Sequence, residues 1–448
     1  MEKVKKFFSF LIIIAIIVGV AVIYNKYNYN DFTKSVRQHD ITVFSRDSEV
    51  KYSDMASYKI ENPTYNDAMF SQVISVLPNT PYKVTCMVKV ENVQNENNNK
   101  TGGAHICIKD TVQRSNTISG TSGWQQLTFL FNSKNERKVE IGFRLGGYNE
   151  LSKGTAWFSD FKVEAGVSDS TTKWNMGCFI IPNIDVDVDI NGKTEHVKLN
   201  MSNEDISKIK TNLSRFKTSI SQISRNKINI DYKTITINEP IKTLSYDEEN
   251  GYYVDEKDVY DLIDSYVKEY QFDHIYVVIR MADKQKGNDV LVNDWIGLGG
   301  MDYFGIGFSN IRMPDDTNNY AYTFDYRINT FPEEVFIHEF LHTLERNAKE
   351  YGLDRPELHD YEKYGYSEQR LEGLKDWYAD YMNKEISYGG EKIGLPIEIY
   401  SYKPPNESDF KYAREIDVMK EPENIFEILN SLVSRLIKML SRKEVVAE

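Results

Sequence analysis

The chemistry of this chain is concentrated in the pentapeptide His338-Glu339-Phe340-Leu341-His342. In a helix, this spacing places the two histidines one turn apart on the same face, as a tetrahedral zinc ion requires. Glu339 then lies beside the first histidine, where its carboxylate can accept a proton from a zinc-bound water. The sequence therefore predicts Zn²⁺ as the cofactor, His338 and His342 as ligands, and Glu339 as the catalytic general base.

A catalytic zinc site takes three protein ligands and leaves a fourth position to water. The favoured third ligand is His359, which follows the helix and its turn closely enough for the reversing chain to return it to the metal. Glu372, in a second helical segment, is the rival, and Asp360 and Glu362 are further alternatives. Two acids on the face of Glu372 could orient a ligand histidine, and four tyrosines could stabilise an oxyanion: Asp376 and Asp380; Tyr361, Tyr364, Tyr366 and Tyr378.

Residues 168–448 resemble the zincin metallopeptidases, through alternating helices and strands, an edge strand, the H-E-x-x-H helix and a downstream ligand. The resemblance implies an α+β fold and hydrolysis of peptide bonds in a polypeptide substrate. The short metzincin pattern is excluded, because Glu345 and Ala348 stand where it needs glycine and histidine. The stretch Gly305–Ser309 is predicted as either the edge strand, where a substrate backbone can approach closely, or an ordinary irregular strand.

The sequence also predicts the helices and strands that position the motif. Pro332 suits the first turn of its helix and Gly352 suits the C-terminal cap. Ser202 is predicted to cap a helix that runs to about Ile223, and a second helix is predicted over Glu256–Tyr270. His274, at the start of an apolar strand, is predicted to be structural. The alternating acids of Asp185–Ile190, followed by Asn-Gly, predict a β-hairpin rather than a calcium loop.

Residues 30–167 predict an all-β domain, with short alternating segments between turn-rich spacers. This region resembles jelly-roll carbohydrate-binding modules at Ser57–Ile60, Pro78–Tyr82, Gly120–Trp124 and Gly154–Phe161. The resemblance implies a β-sandwich and a possible glycan partner. Trp124 and Trp157 are expected to pack in its core. The strands are predicted at Phe70–Val76, Tyr82–Val90, Ala104–Lys109, Gln125–Phe131 and Val139–Leu145.

Residues 1–29 predict a short cytoplasmic stub and an uncleaved signal anchor, with a cleaved signal peptide as the alternative. Three lysines precede an uncharged run from Phe7 to Tyr24, which is close to the length that spans a bilayer. Positive charge before the run places the rest of the chain outside the cytoplasm. The sequence thus predicts a single-pass protein of the cell membrane with an extracytoplasmic catalytic part, ending in an amphipathic helix over Ile425–Leu440.

Composition narrows the functional classes. A net charge of −13 argues against a nucleic-acid partner, since no basic face offsets phosphate repulsion. The glycines near position 300 match no dinucleotide or phosphate-loop fingerprint, so no organic cofactor is expected. Cys86, Cys107 and Cys178 are expected to be buried free thiols, with a single bridge between the first two as the alternative. Two other functions remain open: a non-catalytic glycan-binding surface adhesin, and an amidase that acts on cell-wall peptides.

Overall fold

The structure is a computed structural model that describes residues 32–96, 102–147, 150–168, 171–281, 291, 293, 295–313, 331–367 and 371–416, with only the backbone at 371–373. The predicted anchor and the predicted C-terminal helix lie outside these residues. Within the described ranges, no helix is both long and apolar enough to cross a membrane.

The first part of the chain is a β-sandwich, as predicted. Its strands are β1 Thr33–Val36, β2 Val43–Asp47, β3 Ser57–Asn66, β4 Ala68–Ser75, β5 Pro81–Asn95, β6 Ala104–Ile108, β7 Gly120–Asn132, β8 Lys138–Leu145 and β9 Ser152–Ala165. One sheet has the order β1-β4-β8-β6 and the other β2-β3-β9-β5-β7. Alternate residues of β5 (Tyr82, Val84, Cys86 and Val88) point into the shared apolar core, which follows from the two-residue period of a strand.

The prediction that Trp124 and Trp157 pack in this core is wrong. Neither belongs to the apolar cluster between the sheets. Trp157 faces outward, opposite Lys59 and Lys89 on its neighbouring strands, and its indole donates to Asp47 at 2.9 Å. It is nevertheless buried, because both lysine side chains lie over its ring. The aliphatic parts of these two lysine side chains thus cover Trp157 in place of a second layer of apolar side chains.

The second part of the chain mixes helices and strands. In chain order these are β10 Lys173–Ile180, β11 Asn183–Ile190, β12 Lys193–Asn200, α1 Asn203–Ile223, β13 Asn229–Thr236, β14 Ser245–Asp247, β15 Gly251–Tyr253, α2 Glu256–Tyr270, β16 His274–Ile279, β17 Gly297–Tyr303, β18 Ile306–Arg312, α3 Glu334–Glu350, α4 Leu371–Asn383, β19 Ile386–Tyr388, β20 Glu391–Ile393 and β21 Arg414–Ile416. Short 3₁₀ helices cover Asp360–Tyr364, Ile397–Ser401 and Glu407–Phe410. The predicted hairpin is β11-β12, and Ser202 caps α1 in a capping box with Asp205.

A five-stranded sheet of order β13-β10-β16-β18-β17 organises this part. The first four strands are mutually parallel, and β17 runs antiparallel along the edge. Helices α1 and α3 cover one face and α2 covers the other, so every residue of β16 is buried. The edge prediction needs correction: Gly307 and Phe308 belong to the interior strand β18. Gly307 instead lets the sheet approach α3, where an added Cβ would lie 2.6 Å from Thr343.

The two parts of the chain are interlocked. Strand β21, from the C-terminal side, pairs antiparallel with β9 and so extends a sheet of the sandwich. Tyr260 of α2 donates to Asn116 of the sandwich at 3.2 Å. The three cysteines are buried free thiols, as expected.

Candidate metal centre

Helix α3 carries the H-E-x-x-H motif on a rigid support. Its apolar residues pack under the sheet, and the Tyr276 hydroxyl of β16 donates to the carbonyl of Phe336 at 2.7 Å. After its last turn comes Gly352 with φ +69°, the left-handed conformation that glycine adopts freely at helix ends. The motif therefore lies in the middle of the helix, away from the two ends, which are the parts that fray.

Three imidazoles converge beside this helix. The Nε2 atom of His338 lies 3.1 Å from that of His342 and 3.0 Å from that of His359. One ligand atom from each of the three lies within 4.8 Å of the others. Zinc with Zn–N bonds of 2.0–2.1 Å needs N–N separations of roughly 3.3–3.4 Å in a tetrahedral site. The three Nε2 atoms thus converge nearly as ligands of one small ion would.

The other nitrogen of each helical imidazole is already engaged. His338 Nδ1 lies 3.0 Å from the Tyr378 hydroxyl, which in turn donates to Glu334. His342 Nδ1 lies 3.2 Å from a carboxylate oxygen of Glu345. Such partners fix the ring orientation and leave Nε2 as the free lone pair. Burial, together with the neighbouring imidazoles of His342 and His359, holds the pKa of His338 well below its ordinary value, so its ring is neutral at pH 7.

His359 is positioned through the residue before it. The backbone N–H of Leu358 donates to Glu345 at 2.7 Å, and the indole of Trp377 donates to the Leu358 carbonyl at 3.1 Å. Glu345 therefore bridges a helical histidine and the segment that delivers the third one. Burial alone would raise the pKa of Glu345, but its bonds to His342 and Leu358 lower it overall, so the bridge is ionised.

Glu339 is buried on the other flank of the cluster. Burial, reinforced by the charge of Glu334, raises its pKa well above the ordinary value. Its Oε2 atom is buried with no hydrogen-bond partner among the described residues. A lone buried carboxyl of this kind is costly unless a cation or a donor accompanies it. The orphaned oxygen and the three converging imidazoles together fit a divalent transition metal such as zinc.

Strand β17 closes over Glu339, and sequence reasoning missed this role. A Cβ added at Gly297 would lie 2.2 Å from Glu339 Oε1, and one at Gly299 would lie 2.6 Å from Oε2. Only glycine lets this edge strand cross the carboxylate so closely. The cluster Gly297, Gly299 and Gly300 was the available signal, but the prediction assigned the approach to the glycines that follow.

Some of the other predicted roles are wrong, and one is confirmed. Asp376 is exposed and Asp380 accepts from Tyr366, so Glu345 and Tyr378 orient the histidines instead. Tyr378 lies behind His338, away from the convergence point, and so cannot face a reacting carbonyl there. Glu372 lies in α4, but its side chain is outside the described residues. His274 is structural, as predicted: it is buried 3.1 Å from Thr343, and burial lowers its pKa to about 3.

No protein-family model and no curated protein matches this chain. Among solved structures, the carbohydrate-binding module TmCBM61, solved with β-1,4-galactotriose, is similar at a TM-score of 0.22 and 11% identity, over 31% of this chain and 92% of the module. The xylan-binding domain CBM22-1 of Paenibacillus barcinonensis Xyn10C gives a TM-score of 0.20 and 12% identity, over 30% of this chain and 85% of that domain. The active domain of bacteriophage CBA120 tailspike protein 4 gives a TM-score of 0.23 and 16% identity, over 31% of this chain, which spans only 20% of the tailspike. At TM-scores near 0.2, these likenesses carry no information on function.

Proposed function

We propose that this chain is a zinc-dependent metallopeptidase that cleaves polypeptides outside the cytoplasm, anchored to the membrane by its N-terminal segment. The observation that carries the proposal is the convergence of the Nε2 atoms of His338, His342 and His359 beside Glu339, whose buried Oε2 atom has no hydrogen-bond partner among the described residues. Structural histidine clusters do not require an acid next to them, whereas hydrolysis by an activated water does.

The three histidines would hold the ion, with Tyr378 and Glu345 fixing the two helical rings. Bound zinc supplies a Lewis acid and lowers the pKa of water toward neutrality. Glu339 accepts the proton of the attacking water and returns it to the departing amine, a transfer that one carboxylate can make in both directions. His359 is exposed, so the cluster opens to solvent on its side and a substrate can reach it.

Strand β17 is the natural support for an extended substrate. It is the last strand of the sheet among the described residues and is half-exposed over most of its length. A peptide that pairs with its free edge gains backbone hydrogen bonds independent of sequence. It would lie beside Glu339, because Gly297 and Gly299 bring the strand there. This placement favours a polypeptide over a small amide.

The proposal is tested by digestion of unfolded casein with the full chain in detergent, with and without a zinc chelator. We expect cleavage that the chelator stops and that added zinc restores. The control is Glu339→Gln, which should retain zinc and lose cleavage. Cleavage of muropeptides but not of casein would support the amidase instead, and a zinc-loaded chain inert on both would overturn the proposal.

A glycan-binding role for the sandwich is a second candidate, favoured by one observation. Tyr52 is 51% exposed, and its ring centroid lies 5.8 Å from that of Trp124. Exposed aromatic faces are the surfaces on which sugar rings stack. Glycan-array binding that is lost in Trp124→Ala and retained in Phe44→Ala would support this role, and equal binding by both variants would contradict it.

A further inference from the structure

One unassigned feature is a cleft of about 440 Å³ between the sandwich and the part of the chain that carries the candidate metal centre. Its sandwich wall is β7 with the segment 113–116. Its opposite wall is the β17–β18 turn and the C-terminal half of α3. A volume of this size is typical of sites that bind small ligands or a few residues of a chain.

The cleft shares both elements of that second wall with the metal centre. Thr343 and Arg346 line it, and they lie one and four residues after His342 on α3. The Arg346 guanidinium donates to the carbonyl of Gly300 at 3.2 Å and to that of Met301. Strand β17 thus runs from Glu339, at Gly297 and Gly299, directly to the cleft at Tyr303.

The distance along β17 suits a peptide. Phe304 lies five positions after Gly299, which is about 17 Å at the rise of a strand. A chain paired along this edge past Glu339 would enter the cleft about five residues from the bond being cleaved. There the sandwich forms the far wall, since Arg114 lies over the ring of Phe304 at 4.9 Å.

The chemistry of the cleft suits an uncharged, polar backbone. Charged side chains of its walls form ion pairs with neighbouring side chains, as in Lys268–Asp264 at 2.6 Å and Arg346–Asp302 at 3.5 Å. Arg346 places a guanidinium in the cleft wall, and the donors of such a group suit the carbonyl oxygens of a peptide backbone. The outward side chains of β7, Gln126 and Thr128, add an amide and a hydroxyl on the facing wall.

We infer that this cleft is a second substrate site, which binds the part of a polypeptide that lies about five residues beyond the scissile bond. The inference rests on the proposed function and deepens it: the enzyme would act on long, extended chains rather than on short peptides. The sandwich would then be part of the substrate-binding surface, which accounts for its being interlocked with the catalytic part through β21.

The test is direct binding of fluorescently labelled, unfolded casein and of a labelled pentapeptide to the zinc-free full chain, measured by anisotropy. In Gln126→Trp, and independently in Thr128→Trp, an indole fills the cleft. Gln125→Trp is the matched control, since the adjacent residue is exposed and does not line the cleft. Thermal melts show whether each variant is folded.

We expect each cleft variant to bind casein about tenfold more weakly than the control, with pentapeptide binding the same in all proteins. Casein binding that does not change in either folded cleft variant, or that is absent from the wild type, would overturn the inference. Cleft-dependent casein binding without any cleavage after zinc is added would retain this site and reject the proposed peptidase.

Discussion

Helix α3 and the segment around Leu358 deliver histidines to the same point by different means. His338 and His342 share a face through the period of the helix, which is fixed by local backbone hydrogen bonds. His359 sits on a turn, at the start of a short 3₁₀ helix. Its position depends on Glu345 and Trp377, which hold the two backbone groups of Leu358 from distant points in the chain. Local periodicity therefore positions two of the proposed ligands, and tertiary contacts position the third.

The largest effect is expected when the carboxylate of Glu339 is removed from the helix and its histidines are left in place. Glu339→Gln keeps the size of the side chain and the helix but cannot accept a proton. We expect casein cleavage to fall about 10²- to 10⁴-fold, the range attributed to a general base, with zinc content unchanged. A variant that keeps near wild-type cleavage would remove Glu339 from the chemistry.

The next largest effect is expected from a substitution in the edge strand β17. Gly297→Ala places a methyl 2.2 Å from the Glu339 carboxylate, which must move. Because a shift of about 1 Å can cost about 100-fold in rate, we expect a loss of that order in kcat with zinc retained. The matched control is Gly123→Ala in the sandwich, where an added Cβ meets nothing within 4 Å. Equal activity of the two variants would contradict the closeness of β17 to Glu339.

Glu345 joins the two regions, and its loss should affect both. In Glu345→Ala, the His342 ring and the Leu358 N–H each lose their acceptor. We expect zinc affinity to fall roughly 10- to 100-fold, measured by competition with a chromophoric chelator. Glu357→Ala removes an exposed carboxylate of the same segment and should bind zinc like the wild type. If both variants bind zinc equally well, the bridge does not position the histidines.

The smallest effect is expected from a change that affects only the segment around Leu358. Trp377→Phe keeps an aromatic ring but removes the donor to the Leu358 carbonyl. An unsatisfied buried carbonyl costs about 1–3 kcal/mol, so we expect a lower Tm and a weaker zinc complex, with less effect than Glu345→Ala. Trp174→Phe, which removes the indole donor to Tyr400 in the same core, is the control for stability. It should lower the Tm without weakening zinc binding.

The same contrast explains what the sequence could predict. The strand alternation of β5, the capping residue Ser202 and the Asn191-Gly192 turn are local patterns, and each predicted its element correctly. The choice of His359 over Glu372 rested on its nearness in sequence and on the clustering of three of the seven histidines between Ile337 and Asp360. The roles of Glu345 and Trp377 could not be predicted, because they arise when segments 13 to 19 residues apart meet.

The prediction of the edge strand was wrong for a related reason. Two glycine-rich segments, at 297–300 and 305–307, carry the same local signal for close backbone approach. Which one lies at the edge depends on the order of strands in the sheet, where β18 pairs on both sides and β17 on one. Strand order is a tertiary property, so the period and composition of either segment could not decide it.

The central claim is that zinc is bound by His338, His342 and His359. The most direct test is zinc per chain, by atomic emission, in the full-length wild type, His359→Ala and Glu372→Ala. We expect about one zinc in the wild type, its loss in His359→Ala and its retention in Glu372→Ala. A wild type without zinc, or loss of zinc in Glu372→Ala with retention in His359→Ala, would contradict the claim.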